Sequence, residues 1–261
     1  MAREHMISLQ RVVRVREIIQ DLHPFLAKLF PIAIVEDGHF LIYDIGPNDQ
    51  TYRLVRRAAT PMPIPKGVRA AFPLSDYDDR MACVVTGDVF DEPDGYATIF
   101  HEFVHCGQAE SCEQKLKDRL KLARQAREAN DPMWEINHPF PYAAHEFAPL
   151  YQAFLDSHSL LDIESIRQDL RSSLERRDYE YMVWQEWKEG FARFIENQIR
   201  RRLGLEESHG GKKQPFGRVV FYAGGAHYIE TLSGPNPSWI VHIEKLFDRM
   251  LVGLAADRDS V

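Results

Sequence analysis

The sequence predicts an α+β protein, and three observations carry that reading. Short apolar runs separated by turn residues fill positions 32–86, a breaker-free helical stretch follows at 97–108, and nearly all of the chain beyond 113 has helical periodicity. A small, mainly antiparallel N-terminal sheet is therefore expected ahead of the helix, with a mainly helical part behind it. The division falls into residues 1–110 and 111–261.

The elements follow in order. From Ser8 the apolar residues Val12, Val15, Ile18, Ile19 and Leu22 recur at helical spacing, and Pro24 ends this helix or opens a short second one. Ile32 to Val35 and Phe40 to Tyr43 are short apolar runs joined through Asp37-Gly38, the pattern of a tight hairpin. Thr51 to Val55 is a third strand, Pro61, Pro63 and Pro65 make an extended linker, and Val68 to Phe72 and Ala82 to Thr86 are further strands. After the turn at 91–95, Ala97 to Gln108 has no breaker before Gly107. Helical patterns then cover 113–130, 143–154, 163–174, 179–203 and 238–254. The proline-rich segment 131–142 reads as a loop whose aromatic residues either line a cleft or pack on the core. Residues 208–215, with Gly210-Gly211, form the most flexible-looking segment.

Composition bounds the function. The 261 residues are 44% hydrophobic and 27% charged, as in an ordinary globular protein that folds without staples. A formal net charge of -7 excludes a broad nucleic-acid surface, which needs a basic face; Arg200-Arg201-Arg202 and Lys212-Lys213 read as solvated helix ends. Cys83, Cys106 and Cys112 cannot all pair and have no zinc-cluster spacing, so free thiols in a reducing compartment are expected. Arg3 and Glu4 stand where a secretory signal would need an apolar run, and no stretch approaches the roughly 18 apolar residues of a membrane span. These features give the expectation of a cytoplasmic protein with no membrane partner.

The chemistry is concentrated in His101-Glu102-Phe103-Val104-His105, a complete H-E-x-x-H. On a helix, residues four apart stack on one face, so His101 and His105 offer two imidazoles to one point with Glu102 beside them as a base. A catalytic zinc site takes three protein ligands and leaves a position for water, so a third ligand must come from elsewhere. The metzincin pattern is excluded, because Gln108 and Ser111 occupy its glycine and third histidine. His138, His145 and His158 have no motif around them. Glu186 and Glu189, three apart on a later helix, share a face that periodicity cannot divide.

The segment Glu189-Gly190-Phe191-Ala192 resembles the third-ligand motif of the gluzincin metallopeptidases, and is similar to that of the aminopeptidase N family, with Lys188 in place of an asparagine. That resemblance selects Glu189 over Glu186 and implies a zincin-like fold with one Zn²⁺ per chain on His101, His105 and Glu189. It implies Glu102 as the general base of a peptidase acting on a peptide or protein. A later Tyr222-Ala223-Gly224-Gly225 resembles the segment that supplies an oxyanion-stabilising tyrosine in that family, with His227 and Tyr228 as nearby alternatives. By the same resemblance the strand Cys83 to Thr86 would offer its edge to an extended peptide.

Glycine at 190 costs a helix interior about 1 kcal/mol relative to alanine, which suggests a close helix approach, expected to be to the metal helix. Glu196 lies seven residues beyond Glu189 on the same face, where it can hold a ligand in place. The chain departs from the family in lacking a G-x-M-E-N segment and in having 83 residues between His105 and Glu189, so aminopeptidase specificity does not carry over. A zincin-like domain that binds a partner without catalysis is the alternative.

Overall fold

The computed structural model describes residues 2–46 and 50–253, and the chain is α+β. It separates into two compact units. One is Met1–Ser111 with Ile195–Glu207; the other is Cys112–Phe194 with Ser208–Val261.

The first unit is built on a five-stranded mixed sheet, order β3-β2-β1-β5-β4. Strand β1 is Ile32–Glu36, β2 His39–Ile45, β3 Tyr52–Ala59, β4 Arg69–Leu74 and β5 Arg80–Thr86. The turn between β1 and β2 has positive φ at both Asp37 (48°) and Gly38 (72°). Paired positive φ values make the turn whose twist matches the flanking strands, and an Asp-Gly pair tolerates them. Strands β1–β2, β2–β3 and β4–β5 pair antiparallel, while β1–β5 pair parallel. One face of the sheet buries Ala33, Phe40, Ile42, Leu74, Ala82 and Val84, with Ile64 of the proline-rich linker packed against them. Because β1 and β5 also bury Ile32, Ile34, Cys83 and Val85 on the opposite face, both strands read as continuous apolar runs.

Strand β5 is not an edge. It lies between β1 and β4, because the turn after β4 folds β4 back along β5 and covers its outer side. The expectation that β5 offers an edge to a peptide is therefore corrected: the sheet's two edge strands are β3 and β4.

The H-E-x-x-H motif sits on the helix Asp94–Gln108, whose residues from Tyr96 to Gln108 are nearly all buried. It packs on β4 and β5, and the rings of Phe100 and Phe103 meet 5.3 Å apart, with Phe103 also 5.5 Å from Phe30. The N-terminal helix runs Ala2–Ile19, starting earlier than its apolar spacing indicates, and a one-turn helix Pro24–Ala27 follows.

The second unit is helical. The expected helix 113–130 is interrupted: a π-helical turn Ala109–Glu113 leads into Gln114–Arg119, extended backbone at Leu120 ends it, and Lys121–Glu128 follows. The segment 131–142 contains the one-turn helix Trp134–Asn137, and its aromatics belong to the core. Trp134 is buried with its ring 6.1 Å from Trp184, and Phe140 is buried against Phe147, Tyr181 and Phe221. Of the two readings of that segment, core packing is the one these contacts describe. Ala148–Asp156, Leu160–Ser173, Val220–Ser233 and Ile243–Val252 complete the unit, the last preceded by Ser238–Val241. Residues 176–203 form one unbroken helical run, α then π at Glu186–Gly190 then α, whose C-terminal part belongs to the first unit.

None of the three cysteines, all buried, is in a disulfide among the described residues. No helix among the described residues is long and apolar enough to cross a membrane.

Candidate metal centre

Each histidine of the motif is held from behind. His101 Nδ1 lies 3.0 Å from a carboxylate oxygen of Glu196, and His105 Nδ1 lies 2.9 Å from the side-chain carbonyl oxygen of Gln108. Both partners accept, so both Nδ1 atoms carry the proton and donate. That leaves the two Nε2 atoms, 3.2 Å apart, as lone-pair acceptors facing each other, with the rings 79° from coplanar. A neutral pair so arranged repels; a proton on one ring or a cation between them relieves it.

The support for His101 continues outward. Arg200 Nε donates to the other oxygen of Glu196 at 2.7 Å, and its terminal nitrogen reaches Asp94 at 3.1 Å. Asp94, Arg200, Glu196 and His101 thus form a chain of alternating charge and hydrogen bonds inside the first unit. Burial would lower the Arg200 pKa, but Glu196 and Asp94 outweigh it and hold the guanidinium charged. Glu102 is buried beside His101. Burial first, and the Glu102 carboxylate next, push the thiols of Cys83 and Cys106 well above their usual range, so both remain neutral.

Glu186 and Glu189 divide cleanly in the second unit. Glu186 is 0% exposed, accepts from Arg167 at 2.8 Å and from the Tyr151 hydroxyl at 2.7 Å, and is thereby committed to the core. Glu189 is half-buried and receives a contact from Arg218 at 3.5 Å. Lys188, between them, reaches Glu113 and Glu135, each at 3.0 Å. The π turn at 186–190 helps to separate these directions, and such turns inside helices are frequent at functional sites.

Gly190 does admit a close approach, but its neighbour is the helix Val220–Ser233. A Cβ on Gly190 would meet Gly225 Cα at 2.5 Å, and one on Gly225 would meet the Glu186 carbonyl oxygen at 2.2 Å. The expected purpose of Gly190, closeness to the metal helix, is corrected accordingly. Gly190 and Gly225 are each other's counterpart, while Gly224 makes room for Tyr151.

Tyr222 lies in the first turn of Val220–Ser233 and is half-buried. The guanidinium carbons of Arg193 and Arg218 stand 5.6 and 5.4 Å from its ring centre, and Arg218 also contacts Glu189. The alternatives are engaged elsewhere. His227 Nε2 is 2.7 Å from the Ser157 carbonyl oxygen, and burial lowers its pKa. Tyr228 donates to Glu164 at 2.6 Å inside a buried pair with Arg249.

Gln108, Arg200 and Arg218 were not visible as functional residues in the sequence. The first two do have a signal, since Gln108 follows His105 by three and Arg200 follows Glu196 by four, the helical spacings at which side chains meet. Arg218 has none, because its neighbours are brought to it by chain folding. The chain matches no protein-family model, no curated protein and no solved structure at a significant level.

Proposed function

We propose that the protein is a zinc-dependent metallohydrolase, a gluzincin-type peptidase in its simplest form, with His101, His105 and Glu189 as the metal ligands. The observation that carries this reading is the pair of Nε2 atoms 3.2 Å apart with both Nδ1 atoms held as donors. Two zinc–nitrogen bonds of about 2.0–2.1 Å at a tetrahedral angle set their nitrogens about 3.3 Å apart. The donor set is right as well, since imidazoles braced by a carboxylate and an amide carbonyl are the usual way a protein orients metal-binding histidines. Glu189 rather than Glu186 is the ligand because Glu186 is already occupied by Arg167 and Tyr151.

Bound there, Zn²⁺ would supply Lewis-acid polarisation of an amide carbonyl and a lowered pKa for water. The chain's own residues would do the rest. Glu196 and Gln108 keep the proton on Nδ1 of each histidine and so present both Nε2 lone pairs. Glu102 takes a proton from the attacking water and passes it to the leaving amine. Tyr222 donates a hydrogen bond to the carbonyl oxygen as it becomes negative.

Metal analysis of the protein should give about one zinc per chain. Glu189→Ala should abolish retention of the metal in dialysis, while Glu186→Ala should keep it. A wild-type protein that binds no zinc after loading would refute the proposal, and the reverse pattern in the two variants would refute the choice of glutamate. Cleavage of a peptide library by the zinc-loaded protein, with Glu102→Gln as control, tests the peptidase reading.

A further inference from the structure

Arg218 stands just ahead of the helix Val220–Ser233, and its guanidinium meets side chains from two elements of the second unit. Its Nη1 reaches the side-chain carbonyl oxygen of Gln185 at 3.3 Å and a carboxylate oxygen of Glu189 at 3.5 Å. Gln185 and Glu189 are four apart on one helical run, so a single cation spans them. On its own side the same guanidinium lies 5.4 Å from the centre of the Tyr222 ring.

This placement is fixed from both directions. Gly190 and Gly225 let the helix Val220–Ser233 lie directly against the turn that carries Glu189, and a side chain at either position would push the two elements apart. Gln185 is 1% exposed, and its amide nitrogen donates to the Glu135 carbonyl oxygen at 2.9 Å, which leaves its own carbonyl oxygen turned to Arg218. The Arg218 side chain is 31% exposed, so core packing does not account for it. Arg193 also stands near the Tyr222 ring, at 5.6 Å, but it donates to the hydroxyl and the carbonyl oxygen of Ser208 and so anchors the segment beyond the run.

We infer that Arg218 is a positioning residue of the hydrolytic site, holding the metal ligand Glu189 and the oxyanion donor Tyr222 in one set. This rests on the zinc reading given above. Ligating side chains are ordinarily braced by an outer hydrogen-bonding partner, and Glu196 and Gln108 brace the two histidines of the first unit in the same way. Arginine suits the double task because its plane can lie on an aromatic ring while its edge meets a carboxylate. A lysine ammonium supplies the charge without the plane.

The test is zinc affinity of the full chain, measured by competition with a chelator, for wild type, Arg218→Met and Arg218→Lys, with urea unfolding of each alongside. Arg218→Met should weaken zinc about 10 to 100-fold with its unfolding midpoint close to that of wild type, and Arg218→Lys should recover most of the affinity. At saturating zinc both variants should lower kcat for a cleaved peptide and leave KM unchanged, because Tyr222 donates only to the oxygen that becomes negative in the transition state. In a Tyr222→Phe background, Arg218→Met should then cost no further kcat. Equal zinc affinity in wild type and Arg218→Met overturns the inference and leaves the zinc reading standing, whereas zinc bound by neither overturns both. Affinity lost in step with stability, or additive losses of kcat in the double variant, also overturns it, since Arg218 would then belong to the scaffold alone.

Discussion

The Glu186 cluster of the second unit closes on itself, whereas the chain of groups behind His101 in the first unit ends on two imidazole nitrogens that face each other. Both are buried and both run through an arginine and a glutamate. In the first, Arg167 and Tyr151 meet the two oxygens of Glu186, while burial, which would discharge Arg167, is overcome by that carboxylate. In the second, Arg200 and His101 meet the two oxygens of Glu196, but His101 then presents Nε2 to another acceptor. A polar cluster that satisfies all its members specifies a core; under the proposed function, the one behind the facing imidazoles would orient them toward a cation.

Substitutions can break that contrast. The largest effect is expected from Glu102→Gln, which should retain zinc and lose turnover of a cleaved peptide by about 10² to 10⁴-fold; steady-state rates against metal content decide it, and a fully active variant removes Glu102 as the base. Glu186→Ala should cost about 3–5 kcal/mol of stability, because Arg167 is left buried without its partner, with zinc affinity unchanged; denaturant unfolding and a competitive chelator measure the two separately.

Glu196→Gln should do the opposite, weakening zinc by about 10 to 100-fold with a smaller change in unfolding. If both variants lose metal and stability together, the two clusters are not distinct in kind.

The smallest effect concerns pH. Burial would raise the Glu135 carboxyl, yet Lys188 and then Lys117 outweigh it and hold the pKa at about 2. A depressed carboxylate contributes stability that is present above its unfolded value of 4.5 and is lost as pH falls through about 2. Urea midpoints of wild type and Glu135→Gln should therefore differ above pH 4.5 and converge towards pH 2. A constant gap would mean that Glu135 acts by packing.

Local signals account for much of what was readable. Asp37-Gly38 marked its hairpin because positive φ at two successive positions restricts the residue choice. The four-residue spacing of His101 and His105 marked their common face because helical periodicity places them there. Glu196 was legible for the same reason, seven positions beyond Glu189 on one run. Position β5 in the sheet was not legible, since a strand buried on both faces has the same apolar sequence whether it is central or beside an edge. Nor was the use of segment 131–142: Trp134 and Phe140 are aromatic whether they line a cleft or fill a core, and only their neighbours Trp184 and Phe147 decide.

By itself the sequence determined the α+β class, the five strands ahead of the motif helix, and a histidine pair with an acid between them, because each depends on residues close in the chain. Tertiary structure alone decided that Glu186 is spent on Arg167 and Tyr151, that Gly190 faces Gly225, and that Arg218 meets both Glu189 and Tyr222. Those facts depend on which distant side chains arrive at one place, and a carboxylate or guanidinium has the same local pattern whatever it will meet.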